Sequence, residues 1–161
     1  IRFLLNPMIC ARLIQSLNIN KNDTVLTIGS GVGYNSVILS YLCNTVIGIE
    51  SIKSFYDFSS DILIKLQVNN VVFIKTKIEN GYSDQQPYDC IIIEGGVNHV
   101  PNEILNQLSE NGRLVAVEIK EGNVGKATIY QRYGKEFTKK YLFDAYVPVF
   151  DGFKKNQNFN F

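Results

Sequence analysis

One histidine and three cysteines in 161 residues leave little for metal, disulfide or catalytic-triad chemistry. Cys10, Cys43 and Cys90 are odd in number and far apart, each inside an apolar stretch, without the paired spacing of a metal site or a disulfide framework. They read as small buried hydrophobes in a reducing compartment, which makes the cytoplasm the expected location. His99 stands alone, with no Ser-His-Asp or Cys-His arrangement to support it, and reads as a loop residue near a site rather than as a base. An excess of either charge is also missing. The 16 Lys and Arg against 15 Asp and Glu give a formal net charge of +1. The basic residues are spread along the chain, which argues against a nucleic acid or an anionic membrane as partner. No uninterrupted apolar run approaches the roughly 20 residues that cross a bilayer, and no basic segment followed by an apolar core marks a secretory leader.

What is present is a chain that is 45% hydrophobic, enough for a sizeable core in one domain spanning residues 1–161. Apolar positions at Ile9, Leu13, Ile14 and Leu17 predict a helix over 7–17, with Pro7 suited to its first turn. Strand, loop and helix signals then alternate. Strands are expected at Thr24 to Ile28, Thr45 to Glu50, Val71 to Lys75, Tyr88 to Glu94 and Arg113 to Ile119. Helices are expected at Ser36 to Leu42, Phe55 to Leu66 and Ile104 to Leu108. "YDCIIIE" is apolar throughout, as a strand buried on both faces must be. The expected fold is therefore α/β, Rossmann-like, with a mostly parallel sheet and helices on both faces. After Glu121 two strand-like runs surround a turn at Gly134 and Lys135, which predicts an antiparallel C-terminal pair and seven strands in all. The closing "KKNQNFNF" reads as a loose tail or a short docked edge piece.

The chemistry points to "LTIGSGVGY", Leu26 to Tyr34. In an open parallel sheet, ligands bind beyond the carboxyl ends of the strands, and the loop after the first strand usually supplies the contacts. Glycine there permits positive φ and lets backbone N–H groups approach a ligand with no Cβ in the way. A nicotinamide fingerprint asks for a third glycine where this chain has Tyr34, so a dinucleotide is the weaker reading. Glu50 closes the second strand 21 residues after Gly29. It either accepts from the ribose hydroxyls of an adenosine ligand or caps the following helix.

The chain resembles the protein-L-isoaspartate O-methyltransferase family of class I S-adenosylmethionine-dependent methyltransferases. "VLTIGSGVGY" resembles that family's glycine motif, and "QPYDCIIIEGGVNHVP" the stretch at its fourth strand. "LLNP" lies where the family has its Ser-Gln-Pro segment, "LSENGRLVAV" resembles the fifth strand and "AYVPV" the C-terminal strand. The resemblance implies S-adenosyl-L-methionine as cosubstrate and, as acceptor, the free carboxylate of an isoaspartyl residue in a damaged protein. Methylation makes that carboxylate a better electrophile, so a succinimide can close and some normal aspartate is recovered. It also implies N-terminal helices upstream of Ile1. Backbone at Gly29, Ser30, Gly31 and Gly33 is expected at the methionine end and Glu50 at the ribose. Ile52 and Ile78 are expected on the adenine, with a core position as the alternative for both. Loops around Asn6 and around Gly95 and Asn98 are expected at the acceptor, with Asn98 alternatively a turn residue.

Three matched positions depart from the family. Thr27 stands where an acidic residue helps hold the methionine end. Lys77, a donor only, stands where an acidic residue accepts from the adenine amino group. Leu5 stands where a serine meets the acceptor carboxylate. Hydrogen bonds to charged groups are worth about 1.5 to 3 kcal/mol each, so losing two would cost the cosubstrate roughly 3 to 6 kcal/mol. The alternative function is accordingly a catalytically degenerate member acting as a binding or interaction module.

Overall fold

The computed structural model describes residues 4–120 and 122–154. The expected tail therefore lies outside the described residues from Lys155 onward. Helix α1 (Pro7–Ser16) starts where Asn6 Oδ1 accepts from the Met8 N–H at 2.9 Å, with proline in the first turn, and buries Cys10, Leu13 and Ile14. Strand β1 (Thr24–Ile28) is sealed from Val25 onward. Next come α2 (Tyr34–Ser40), β2 (Thr45–Glu50), α3 (Lys53–Leu66) and β3 (Val71–Lys75). Then follow β4 (Tyr88–Val97), the short α4 (Asn102–Leu105), β5 (Leu108–Glu118), β6 (Gly125–Tyr133) and β7 (Glu136–Ala145).

The seven strands form one sheet in the order β3-β2-β1-β4-β5-β6-β7. The first five are mutually parallel. Alternation along the strands sorts the core into two faces. Leu26, Ile28, Ile91, Ile93 and Leu114 share one, with α4, Phe150 and Phe153 packed over it. Val25, Val46, Cys90, Ile92 and Val115 share the other, beneath α1 and Leu39 of α2. A central strand that buries both faces has no room for polar alternation, which is why "CIII" is apolar at four successive positions.

The antiparallel region is larger than the expected C-terminal pair. β6 runs antiparallel to β5 as well as to β7, so the hairpin is continuous with the parallel sheet. β4 also runs three residues past Glu94, because the chain after β7 returns to it. Gly96 donates its N–H to the Pro148 carbonyl at 2.8 Å, and the Gly96 carbonyl accepts from Phe150 N–H at 2.9 Å. Gly95 and Gly96 permit this close approach, since a Cβ at Gly95 would enter the Phe150 ring and one at Gly96 would lie 3.0 Å from the Pro148 carbonyl oxygen. β5 begins at Leu108, paired with Tyr88, and not at Arg113; Asn111, at φ 61°, forms the irregularity that lets the strand continue through "ENG".

Candidate functional site

Because β2 lies on one side of β1 and β4 on the other, the loops leaving the carboxyl ends of β1 and β4 diverge and leave a crevice. The glycine loop forms one wall. Gly29 and Ser30 both donate backbone N–H groups to the Ile49 carbonyl, at 3.0 and 3.1 Å, folding the loop over β2. Gly29, Gly31 and Gly33 have φ of 75°, 55° and 83°, values that disfavour any side chain. Glu50 is fully buried behind this wall. Its Oε2 accepts from Gly31 N–H at 2.8 Å, and its Oε1 from Ser51 and Ile52 N–H at 2.8 and 2.9 Å. One carboxylate thus ties the glycine loop to the start of α3. The helix-capping alternative for Glu50 is present in the molecule, and it fixes two backbone segments that face the cleft.

The cleft has two adjoining parts that share Leu5, Phe55, Glu94 and Phe150 in their walls. The part against Gly29, Ser30 and Gly31 has a volume of about 200 Å³. The part against Ser51, Ile52, Ile78, Glu79 and Gly95 has about 310 Å³ and is closed on its far side by residues 148–152. The structure therefore brings Gly29, Ser30, Gly31, Ile52, Ile78 and Gly95 onto one crevice. Gly33 is instead the left-handed cap of α2, packed against Phe73 and Ser59. Asn6 caps α1 and is exposed, next to the lining residue Leu5. Asn98 donates its backbone N–H to the Phe153 carbonyl at 3.4 Å, beside the C-terminal segment and outside the lining. His99 is exposed.

The three departures take definite places. Thr27 is fully buried and its hydroxyl is 3.0 Å from that of Ser36, so it belongs to the packing under the loop. Lys77 is exposed and lines neither part. Leu5 is buried and lines both. Three carboxylates not anticipated as site residues line the cleft: Glu94, Glu79 and Asp151, the last exposed and paired with Lys154. Glu94, 7% exposed, follows Ile93, the register partner of Ile28, and so stands level with Gly29. Its Oε2 accepts from Asn35 Nδ2 at 2.9 Å. Glu79 lies at the other end, next to Ile78. A charged residue closing the apolar run of a central strand was a usable signal for Glu94. Phe150 had none, because the turn that brings it to Gly95 depends on the hairpin before it.

Chemically, the cleft offers backbone polar groups and the Glu94 carboxylate at one end and apolar side chains with the Glu79 and Asp151 carboxylates at the other. Among the described residues, no Cys, His or Lys lines it. Cys10, Cys43 and Cys90 are buried and free, and burial pushes all three thiols up, Cys43 to about 11 and Cys90 to about 12. Among the described residues no group of His, Cys, Asp and Glu could hold a metal ion, and no helix is long and apolar enough to cross a membrane. An arrangement that binds and aligns, with no covalent intermediate, suits direct transfer between two bound reactants.

Residues 3–154 match the family model described as Protein-L-isoaspartate(D-aspartate) O-methyltransferase. A protein-L-isoaspartate O-methyltransferase of Helicobacter pylori (strain G27) is 32% identical over 153 residues, covering 94% of this chain and 73% of the relative. The chain spans about half the length of other curated relatives, 46% and 51%. Among solved structures, a protein-L-isoaspartate O-methyltransferase superposes with a TM-score of 0.83 at 24% identity, over 89% of this chain and 46% of that one. A methyltransferase of Thiobacillus denitrificans in complex with S-adenosyl-L-homocysteine gives a TM-score of 0.60 at 22% identity, over 73% of this chain and 50% of that one.

Proposed function

Because the chain belongs to the protein-L-isoaspartate(D-aspartate) O-methyltransferase family, we propose that it transfers a methyl group from S-adenosyl-L-methionine to the free carboxylate of isoaspartyl residues in proteins or peptides. The observation that carries this reading is the glycine loop tied to Glu50 over a cleft at the carboxyl ends of β1 and β4. The sulfonium supplies a methyl carbon that an oxygen of the acceptor carboxylate attacks, while the carbon–sulfur bond breaks and its electron pair stays on sulfur. Everything else falls to the protein as binding and alignment.

Gly29, Ser30 and Gly31 offer backbone to the methionine end, where Glu94 stands as the carboxylate for its ammonium. This supplies by a neighbouring strand the charge that Thr27 lacks. Glu50 holds Gly31, Ser51 and Ile52 in place and is the group nearest in chemistry to the ribose hydroxyls. Ile52 and Ile78 face the larger part, which suits a flat heteroaromatic ring. Asn6 and Asn98 flank the cleft, and Gly95 lines it, on the side proposed for the acceptor. Three buried, protonated thiols fit a cytoplasmic enzyme.

Calorimetric titration with S-adenosyl-L-homocysteine tests the cosubstrate half of this reading. Binding near about micromolar supports it. No binding at millimolar ligand favours the second reading, a binding module, which Leu5, Thr27 and Lys77 motivate.

A further inference from the structure

The Glu79 carboxylate lines the larger part of the cleft beside Ile78, and its Oε2 is sealed from solvent with no hydrogen-bond partner among the described residues. Its other oxygen faces Gly152, where even a Cβ would collide with it. Glycine at 152 therefore makes room for this side chain at the end of the cleft. A buried acceptor left unsatisfied is costly, and a site that keeps one either strains the fold or awaits a donor. Glu79 lines the cleft, so a turn of its carboxyl group about the last side-chain bond brings this oxygen to a donor on a bound ligand. Lys77, two residues earlier, is exposed and does not pair with this oxygen, and the cleft wall between Glu79 and Ser51 is apolar at Ile52 and Ile78.

On the reading that S-adenosyl-L-methionine occupies the cleft, we propose that Glu79 accepts a hydrogen bond from the exocyclic amine of the adenine and so selects a 6-aminopurine. The assignment follows from placement. Ribose hydroxyls belong near Gly31 and Ser51, which Glu50 positions, and the ammonium belongs near Glu94. The ring between Ile52 and Ile78 then has one N–H donor group left, its exocyclic amine; of the two acids lining that end, Asp151 is exposed and paired with Lys154, which leaves Glu79. The acid that Lys77 displaces is thus supplied two positions later, by a turn residue whose side chain enters the cleft.

The test compares two ligands by calorimetry: S-adenosyl-L-homocysteine, and the same molecule with hydrogen in place of the amino group at purine C6. The wild-type protein is expected to prefer the amino form by about tenfold to about a hundredfold, the range for a hydrogen bond to a charged group. Glu79→Ala is expected to abolish the preference, and Glu79→Gln, which keeps a neutral acceptor, to leave it several-fold smaller than wild type. If the wild type binds both ligands equally, or if Glu79→Ala weakens both equally, the role of Glu79 is overturned while the cosubstrate reading stands. If the wild type binds neither, the cosubstrate reading falls and Glu79 with it.

Discussion

Gly31 donates its backbone N–H to Glu50 Oε2 across 2.8 Å, joining the loop after β1 to the end of β2. The same carboxylate caps Ser51 and Ile52, so one side chain sets the positions of both strand ends that face the cleft. Glu50→Ala leaves these donors without their acceptor. A cost of about 1 to 3 kcal/mol per orphaned buried donor makes a loss on the order of 3 kcal/mol expected in urea unfolding, with loss of S-adenosyl-L-homocysteine binding. Glu50→Gln, keeping one acceptor oxygen, should lose less of both. A variant that keeps wild-type stability and affinity would show that this carboxylate is not what holds the loop.

The loop glycines should separate by role. An added Cβ at Gly33 would lie 2.7 Å from Phe73 Cζ, whereas one at Gly31 meets only the Gly29 carbonyl oxygen at 4.0 Å. Both sit at positive φ, so alanine costs each about 1 to 2 kcal/mol. Gly33→Ala adds overpacking, typically about 1 to 3 kcal/mol. Thermal melts should rank Gly33→Ala well below Gly31→Ala, while ligand titration should show Gly31→Ala folded and weakened in binding. Equal stability losses would contradict the packing described here.

Glu94 is proposed to face the ligand's ammonium. Glu94→Gln keeps an acceptor for Asn35 Nδ2 but removes the charge. S-adenosyl-L-homocysteine should lose about tenfold to about a hundredfold in affinity, and an analogue without the α-amino group should be unaffected. Equal losses for the two ligands would place the ammonium elsewhere.

The central strands and their loops were legible from sequence because burial on both faces leaves a local mark: β1, β2 and β3 run over the residues that apolar runs and glycine punctuation indicate. Gly29, Ser30, Gly31, Ile52, Ile78 and Gly95 come together because topology alone brings strand ends to one edge. The parts that sequence did not reveal depend on long-range returns of the chain. Phe150 reaches Gly95 only after β6 and β7 reverse direction, and the extension of β4 past Glu94 depends on that return. Glu79 was hidden for another reason. Lys77 holds the position matched to the family's acid, and which residue of an irregular loop points inward has no periodic signature.

The thiols give a pH test of the core. Burial raises Cys90 from 9.0 to about 12 and Cys43 to about 11, so the folded chain holds protons that the unfolded chain releases. The resulting stability is present in full below about pH 9 and is lost as pH rises toward about 12. Urea midpoints should fall between about pH 8 and about pH 10.5, and the fall should shrink in Cys90→Ala. Thiol reagents should leave the folded protein unmodified near neutral pH. Rapid modification of the native state would contradict the burial of all three.

The most direct measurement is transfer of a labelled methyl group from S-adenosyl-L-methionine to a peptide carrying one L-isoaspartyl residue, beside the same peptide with L-aspartate. The account predicts a base-labile methyl ester on the isoaspartyl peptide and none on its control. No transfer to the isoaspartyl peptide by protein that binds S-adenosyl-L-homocysteine, or equal transfer to both peptides, would contradict it.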